Sequence, residues 1–126
     1  NAWLDASVAR HSRRRRSSLV AVADALAEWF AEPGYRGCAF INAAAELGES
    51  SEREHRIALA HKQQLLDHLT ALAAHDRLDN PAEVGRLALL IVEGAIVRAQ
   101  MTGSAEPAAD ARKLLAALAA THSRRR

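Results

Sequence analysis

Three side chains able to contact a small molecule recur at every fourth position between Cys38 and Glu46. A thiol, an amide and a carboxylate, from Cys38, Asn42 and Glu46, stand at i, i+4 and i+8 in a stretch rich in alanine. In a helix this spacing places all three on one face. A buried amide and a buried carboxylate need hydrogen-bonding partners. The spacing therefore predicts either a pocket wall that orients a ligand or a set of structural hydrogen bonds to neighbouring backbone, and it does not decide between them.

Two histidines and a further carboxylate lie in later apolar stretches. His61 and His68 fall on or beside the apolar stripe of a long helical segment, and Glu93 interrupts the most apolar stretch of the chain. A histidine on such a stripe is more often a satisfied core residue than a ligand. Together with Glu46 these groups have enough donor atoms for a metal, but no local spacing enforces a site. We expect no metal and no cofactor, and we expect Glu93 to face a pocket, paired with His61, with Arg98 or with a ligand.

The sequence offers little for catalysis. It contains no Ser-His-Asp arrangement, no glycine-rich phosphate loop and no paired-carboxylate motif. The single cysteine, Cys38, excludes an internal disulfide and any cysteine-based zinc motif. We expect no catalytic residues and no enzyme. A small metal-dependent helical enzyme is an alternative that would require bound metal after purification.

The composition and the positions of glycine and proline indicate an all-α domain. Of the 126 residues 49% are hydrophobic and only 4% aromatic, with alanine and leucine dominant. No alternating run typical of a strand occurs, and glycine and proline separate the periodic segments. We expect about five to six helices: the end of one over 1–11, followed by helices over 16–31, 37–47, 51–75, 81–102 and 108–121.

Charge and hydropathy limit the partners. The net charge is +2, and the basic residues are concentrated in the run from Arg13 to Arg16 and the tail from Arg124 to Arg126. Four arginines in a row can touch phosphate, although a solvated helix junction is the commoner role of such a run. No apolar run is long enough to span a membrane, and no signal peptide is recognisable. We expect a cytoplasmic protein without membrane association.

The segment over 81–102 is apolar almost all round. A helix that is apolar on every side is buried on every side, which in a domain this small indicates a partner molecule. Gly94 lies inside this helix, where a glycine costs roughly 1 kcal/mol relative to alanine. We therefore expect Gly94 to permit close contact between helices.

These segments, taken in order, resemble the C-terminal domain of TetR-family transcriptional regulators. The resemblance covers nearly the whole chain, and no single piece of it would suffice. It is carried by Trp29-Phe30, by Tyr35-Arg36-Gly37-Cys38-Ala39-Phe40-Ile41-Asn42-Ala43-Ala44-Ala45-Glu46, by His61-Lys62, by Leu89-Leu90-Ile91-Val92-Glu93-Gly94-Ala95, and by Ala99-Gln100 with Gly103.

The resemblance implies a homodimer that senses a small molecule. In the family the C-terminal domain is all helical and holds a ligand pocket, and the last two long helices form a four-helix bundle with those of a second subunit. An N-terminal helix-turn-helix domain binds operator DNA, and ligand changes the spacing between the DNA-binding domains of the two subunits. That three-helix unit is missing from this sequence. Residues 1–14 are interpreted as the end of the helix linking to it, and residues 15–126 as the effector-binding and dimerisation domain.

The expected function is that of a ligand-responsive TetR-type repressor, with operator DNA bound through the missing N-terminal domain. A pocket walled by alanine and leucine with few aromatics predicts a small, largely apolar effector. The alternative is a stand-alone helical dimerisation or ligand-binding module without DNA binding. The aromatics Trp3, Trp29, Phe30 and Phe40, and Met101, either line the cavity or pack in the core. The predicted pocket residues are Phe30, Cys38, Ile41, Asn42, Glu46, His61, Leu65 and Glu93, and the predicted dimer residues are Leu87, Ile91, Gly94, Ala95, Leu114 and Leu118.

Overall fold

The structure, a computed structural model, describes residues 17–33 and 52–123. These residues form four α-helices and no strand, apart from an isolated antiparallel bridge between Leu78 and Ser123. The predicted all-α fold is confirmed. The helices predicted over 1–11 and 37–47 lie outside the described residues. The four helices are α1 (Ser18–Phe30), α2 (Glu52–His75), α3 (Pro81–Thr102) and α4 (Glu106–Thr121).

Side chains cap the starts of α1 and α3. The Ser17 hydroxyl accepts a hydrogen bond from the Leu19 N–H at 3.2 Å, and the Asn80 amide oxygen accepts one from the Glu83 N–H at 3.4 Å. Each bond satisfies a donor that the first turn leaves without an intrahelical partner. Pro81 follows in the first turn of α3, where its missing N–H costs nothing.

The turn between α3 and α4 is set by Gly103 and Pro107. Gly103 has a φ of 65°, a left-handed conformation that suits glycine, and its N–H donates to the Ala99 carbonyl at 2.9 Å. The next helix begins at Glu106, two residues earlier than expected, with Pro107 inside its first turn. Pro107 precedes the helix predicted over 108–121, yet a proline is tolerated in a first turn because the N–H groups there have no helical acceptor.

Helix α1 is the centre of the core. Apolar residues on one face of α1 are buried, namely Leu19, Val22, Ala23, Leu26 and Phe30. Residues on its other sides are buried as well, including Ala21 and Ala25 at 0% exposure. Around it pack Leu69 of α2, Val84 of α3 and Leu115 of α4, each also at 0% exposure. Alanines dominate the remaining contact positions, which lets the helices approach closely. The helices that follow in sequence, α2 with α3 and α3 with α4, pack against one another, and α4 also packs on α1.

Polar tethers hold the helix ends together on one side of the domain. The Asp76 carboxylate accepts hydrogen bonds from the Ser18 N–H at 2.7 Å, the Ser18 hydroxyl at 2.8 Å and the Ser17 hydroxyl at 3.4 Å. A negative charge at a helix N-terminus is favourable, because the free N–H groups there carry partial positive charge. The end of α2 is thereby fixed to the start of α1.

A second tether joins the end of α4 to the turn between α2 and α3. The Asp79 N–H donates to the His122 carbonyl at 2.7 Å, next to the bridge formed by Ser123. The His122 ring lies with Nδ1 3.0 Å from the Leu118 carbonyl and Nε2 3.4 Å from a Glu83 carboxylate oxygen. The start of α1, the end of α2, the start of α3 and the end of α4 therefore meet at one end of the domain.

Candidate functional site

Four of the eight predicted pocket residues, Phe30, His61, Leu65 and Glu93, lie in the part of the chain that the structure describes. The other four are Cys38, Ile41, Asn42 and Glu46, and they lie outside the described residues. The grouping of Cys38, Asn42 and Glu46 on one helical face therefore stays a prediction.

Phe30 belongs to the core at the C-terminal end of α1. Its side chain is 7% exposed, and its ring lies against that of Trp29, with the ring centroids 5.9 Å apart and the planes tilted by 35°. Trp29 is half-buried and packs against the same core. This placement fits the core-packing interpretation of the two aromatics. It also gives the end of α1 an aromatic surface.

Where α2 packs against α3, the carboxylate of Glu93 forms an ion pair with a lysine of α2. The Lys62 ammonium donates to the Glu93 carboxylate, with the two side chains 36% and 24% exposed. The sequence reasoning named His61 and Arg98 as possible partners and missed Lys62. His61 and Leu65, beside Lys62 on α2, are half-buried. This part of the contact therefore holds a partly buried cation and a partly buried anion, with the imidazole of His61 next to the cation on α2.

Within the chain, a close approach between helices occurs at Gly85, whereas the close contact expected at Gly94 with a partner molecule stays a prediction. A Cβ atom built on Gly85 would collide with Oγ1 of Thr70 and lie 3.1 Å from the Thr70 Cα. A Cβ on Gly94 would have no atom of the chain within 4 Å. Gly85 therefore fits α3 against α2 within the domain, and Gly94 leaves an open notch on the surface.

The outer face of α3 carries an exposed apolar stripe. Among the described residues of this helix the large apolar side chains that remain exposed are Leu87 (36%), Leu90 (68%), Val97 (43%) and Met101 (75%). With Gly94 they stand at i, i+3, i+7, i+10 and i+14, the spacing of a seam between two helices. Met101 thus lies outside the core that the described residues form. The same spacing is visible in the sequence, so this signal for Leu90, Val97 and Met101 was available and was missed.

A groove of about 440 Å³ runs between α3 and α4 on this same outer side. Its lining residues include Leu90, Ile91, Gly94, Ala95, Arg98, Glu106, Asp110 and Leu114. Of the six predicted dimer residues, Ile91, Gly94, Ala95 and Leu114 line this groove. Gly94 and Leu114 are exposed and Ile91 is half-buried, whereas Ala95 is 6% exposed and belongs mainly to the core of the domain.

The two remaining predicted dimer residues lie further along the same helices. Leu87 is 36% exposed on α3, and Leu118 is half-buried on α4. The groove and the apolar stripe of α3 together form one surface, which we call the α3–α4 face. It consists of Leu87, Leu90, Ile91, Gly94, Val97, Arg98, Met101, Glu106, Asp110 and Leu114.

Residues 17–33 and 52–123 contain neither a metal-binding cluster nor a membrane-spanning helix. No group of three or more His, Cys, Asp or Glu side chains in these ranges could hold a metal ion. None of the helices they form is both long enough and apolar enough to cross a membrane.

Comparison with known proteins relates the fold to one family. No protein-family model matches the chain, and no curated protein matches it. Among solved structures it is similar to a TetR-family transcriptional regulator from Streptomyces coelicolor, with a TM-score of 0.78 and 25% identity. The match covers 96% of this chain and 66% of that regulator's chain. The chain therefore has a TetR-like all-α fold and spans about two thirds of the length of this neighbouring regulator.

Proposed function

We propose that this chain is the effector-sensing and dimerising domain of a ligand-responsive transcriptional repressor of the TetR type. The observation that carries the proposal is the similarity to a TetR-family regulator at a TM-score of 0.78 over 96% of the chain. Operator DNA would be contacted by a helix-turn-helix domain outside this chain. Such a regulator works where the chromosome is, and a cytoplasmic location follows from the proposal.

A second copy is the occupant that we propose for the α3–α4 face. Leu90 and Met101 are 68% and 75% exposed in the single chain, and apolar side chains in a continuous stripe favour burial against a partner. The residues of the stripe are spaced by three and four, which suits packing against another helix. In a symmetric pair that helix is supplied by the same face of the second copy. Gly94 then provides room for a side chain of that copy. This arrangement would place α3 and α4 of both copies in a four-helix bundle.

The effector pocket is proposed at the contact between α2 and α3. Leu65 packs against the core cluster that includes Phe30, and the Lys62–Glu93 pair supplies one cation and one anion. A small, largely apolar effector with one or two polar groups matches this chemistry. Asn42 and Glu46 are proposed to contribute from the segment that precedes α2. Ligand would act by favouring one arrangement of the helices, by no more than its difference in affinity for the two arrangements.

The test of the regulator function is DNA binding by the product of the intact gene. Chromatin immunoprecipitation of that product from its own cells should enrich a small number of discrete DNA sites. Purified protein should bind those sites in a mobility-shift assay. Absence of both signals would overturn the regulator proposal and favour a dimerisation or ligand-binding module without DNA binding.

The pocket assignment is tested separately, with a reporter gene under the enriched site. A panel of small apolar acids, amines and alcohols is screened for compounds that relieve repression. Asn42→Ala and Glu46→Ala should repress normally and respond less to an active compound. Asp67→Ala is the matched control, because Asp67 is an exposed carboxylate of α2 bound to Gln63 at 2.9 Å. A response unchanged in both pocket variants would show that the pocket lies elsewhere.

A further inference from the structure

Charges of both signs flank the apolar stripe of the α3–α4 face. Arg98 follows Val97 on α3 and lines one wall of the groove, while Glu106 and Asp110 line the wall formed by α4. All three charged residues are exposed. Among the described residues, none of the three forms an ion pair within the chain, in contrast to Lys62 with Glu93 and Arg112 with Asp24. The face therefore presents one cation and two anions that form no ion pair with the described part of the domain.

The position of Arg98 matters because of the stripe beside it. In a seam of apolar residues spaced by three and four, the residues that flank the seam meet charged residues of the facing helices, and these pairs set partner choice and orientation. Arg98 occupies such a flanking position, one residue after a stripe residue. In a symmetric pair each contact is made twice, so a face that bears both signs at different places can be complementary to itself.

We infer that the α3–α4 face is charge-matched to a second copy of this chain, with Arg98 of one protomer binding the acidic pair Glu106 and Asp110 of its partner. This inference rests on the proposed dimer and adds what selects the partner. The apolar stripe would supply affinity for helical surfaces in general. The charges would favour a second copy over other helical proteins, because a partner with a cation opposite Arg98 is repelled.

Reciprocal charge reversal tests this pairing. In Arg98→Glu, a homodimer sets the introduced carboxylate against Glu106 and Asp110, so it should dissociate more readily. In the double variant Glu106→Lys with Asp110→Lys, a homodimer sets Arg98 against two lysines and should be weakened likewise. Mixed in equal amounts, the two proteins can form a dimer in which opposite charges meet at both contacts. At one contact Arg98 meets Glu106 and Asp110 as in the wild type, and at the other the introduced carboxylate meets the two introduced lysines. Native mass spectrometry with one protein carrying a mass tag should then find the mixed dimer well above its statistical share.

The matched control is Arg86→Glu, an exposed cation of the same helix that does not line the groove. Mixed with the lysine double variant, it should give a smaller excess of mixed dimer than Arg98→Glu does, because its Arg98 still meets the two lysines. Circular dichroism checks that every variant remains helical. If a variant fails to fold, the salt dependence of wild-type dimerisation decides the matter, since screening should raise the dissociation constant of a charge-matched pair.

The outcomes separate the inference from the dimer itself. An excess of mixed dimer with Arg98→Glu above that of the control, or a wild-type dissociation constant that rises with salt, supports the charge matching. Dimers of wild-type affinity in all variants, mixing at the statistical proportion, would overturn it and leave the apolar dimer standing. Wild-type protein that stays monomeric would overturn both.

Discussion

Gly85→Ala is the substitution whose effect follows most directly from the structure. The added Cβ would collide with Oγ1 of Thr70 and lie 3.1 Å from both Cα and Cβ of the same residue. The hydroxyl can turn away, but the Thr70 backbone moves only if α2 moves. Both helices are long and carry core residues, so the contact between α2 and α3 cannot open without loosening the packing around Val84 and Leu69.

The cost of the collision equals the difference between the free energies of unfolding of Gly85→Ala and Gly94→Ala. Gly94→Ala adds the same methyl group to the same helix, with no atom of the chain within 4 Å of it. Both substitutions gain helix propensity of roughly 1 kcal/mol, so this gain cancels when they are compared. What remains is the cost of overpacking at Gly85, typically about 1–3 kcal/mol. In the monomer, Gly94→Ala should therefore raise the free energy of unfolding above that of the wild type, and Gly85→Ala should lie below Gly94→Ala by that amount.

Urea denaturation followed by circular dichroism measures both free energies of unfolding. Each titration is repeated at two protein concentrations, because association through the α3–α4 face would make apparent stability concentration-dependent. Adding Thr70→Ala to Gly85→Ala should recover part of the loss, since it removes the Oγ1 contact and leaves the one to Cβ. Equal stability of Gly85→Ala and Gly94→Ala would refute the close approach of α3 to Thr70.

Three other variants test the remaining contacts by the same denaturation assay. Leu115→Ala removes a side chain at 0% exposure and should cost roughly 2–5 kcal/mol, so a loss below that range would place it outside the core. Asp76→Ala leaves the buried Ser18 without its carboxylate acceptor and should cost about 1–3 kcal/mol; a neutral result would mean that the start of α1 is not held there. Arg112→Ala should change the free energy of unfolding by no more than about 1 kcal/mol, because its 3.3 Å ion pair with Asp24 is formed by an arginine that is 47% exposed. A larger loss would contradict the small contribution expected of an exposed ion pair.

The ends of a helix were predicted well from the sequence where capping residues, prolines or glycines mark them. Asn80 with Pro81 at one end and Gly103 at the other bound α3 at the residues expected, because caps and prolines act on their immediate neighbours. The start of α4 was missed by two residues because Pro107 has two roles, as a helix breaker and as a first-turn residue, and only the tertiary structure shows which one applies.

Contacts between helices were harder to predict, because the residues of one helix do not determine which of its faces packs against another helix. Gly85 and Gly94 are nine residues apart, about two and a half turns, so they lie on opposite faces of α3. The sequence contains both glycines but does not say which face meets α2. The same applies to Glu93, whose partner Lys62 is 31 residues away on another helix. The pocket face of Cys38, Asn42 and Glu46 stays a prediction.

Sedimentation equilibrium tests directly whether the α3–α4 face joins two copies of the chain. Leu90→Lys places a charge at a stripe position that is 68% exposed, and Leu59→Lys makes the same change on α2 at 54% exposure, off the face. Burying a leucine contributes about 1.5–3 kcal/mol, and a symmetric dimer contains the site twice, so Leu90→Lys should weaken dimerisation by at least about a hundredfold.

We predict that the wild type and Leu59→Lys sediment at twice the chain mass of 13.6 kDa, and that Leu90→Lys sediments at the single mass under the same conditions. A wild type that stays at the single mass at every concentration, or a Leu90→Lys dimer as tight as the wild type, would contradict the proposed dimer.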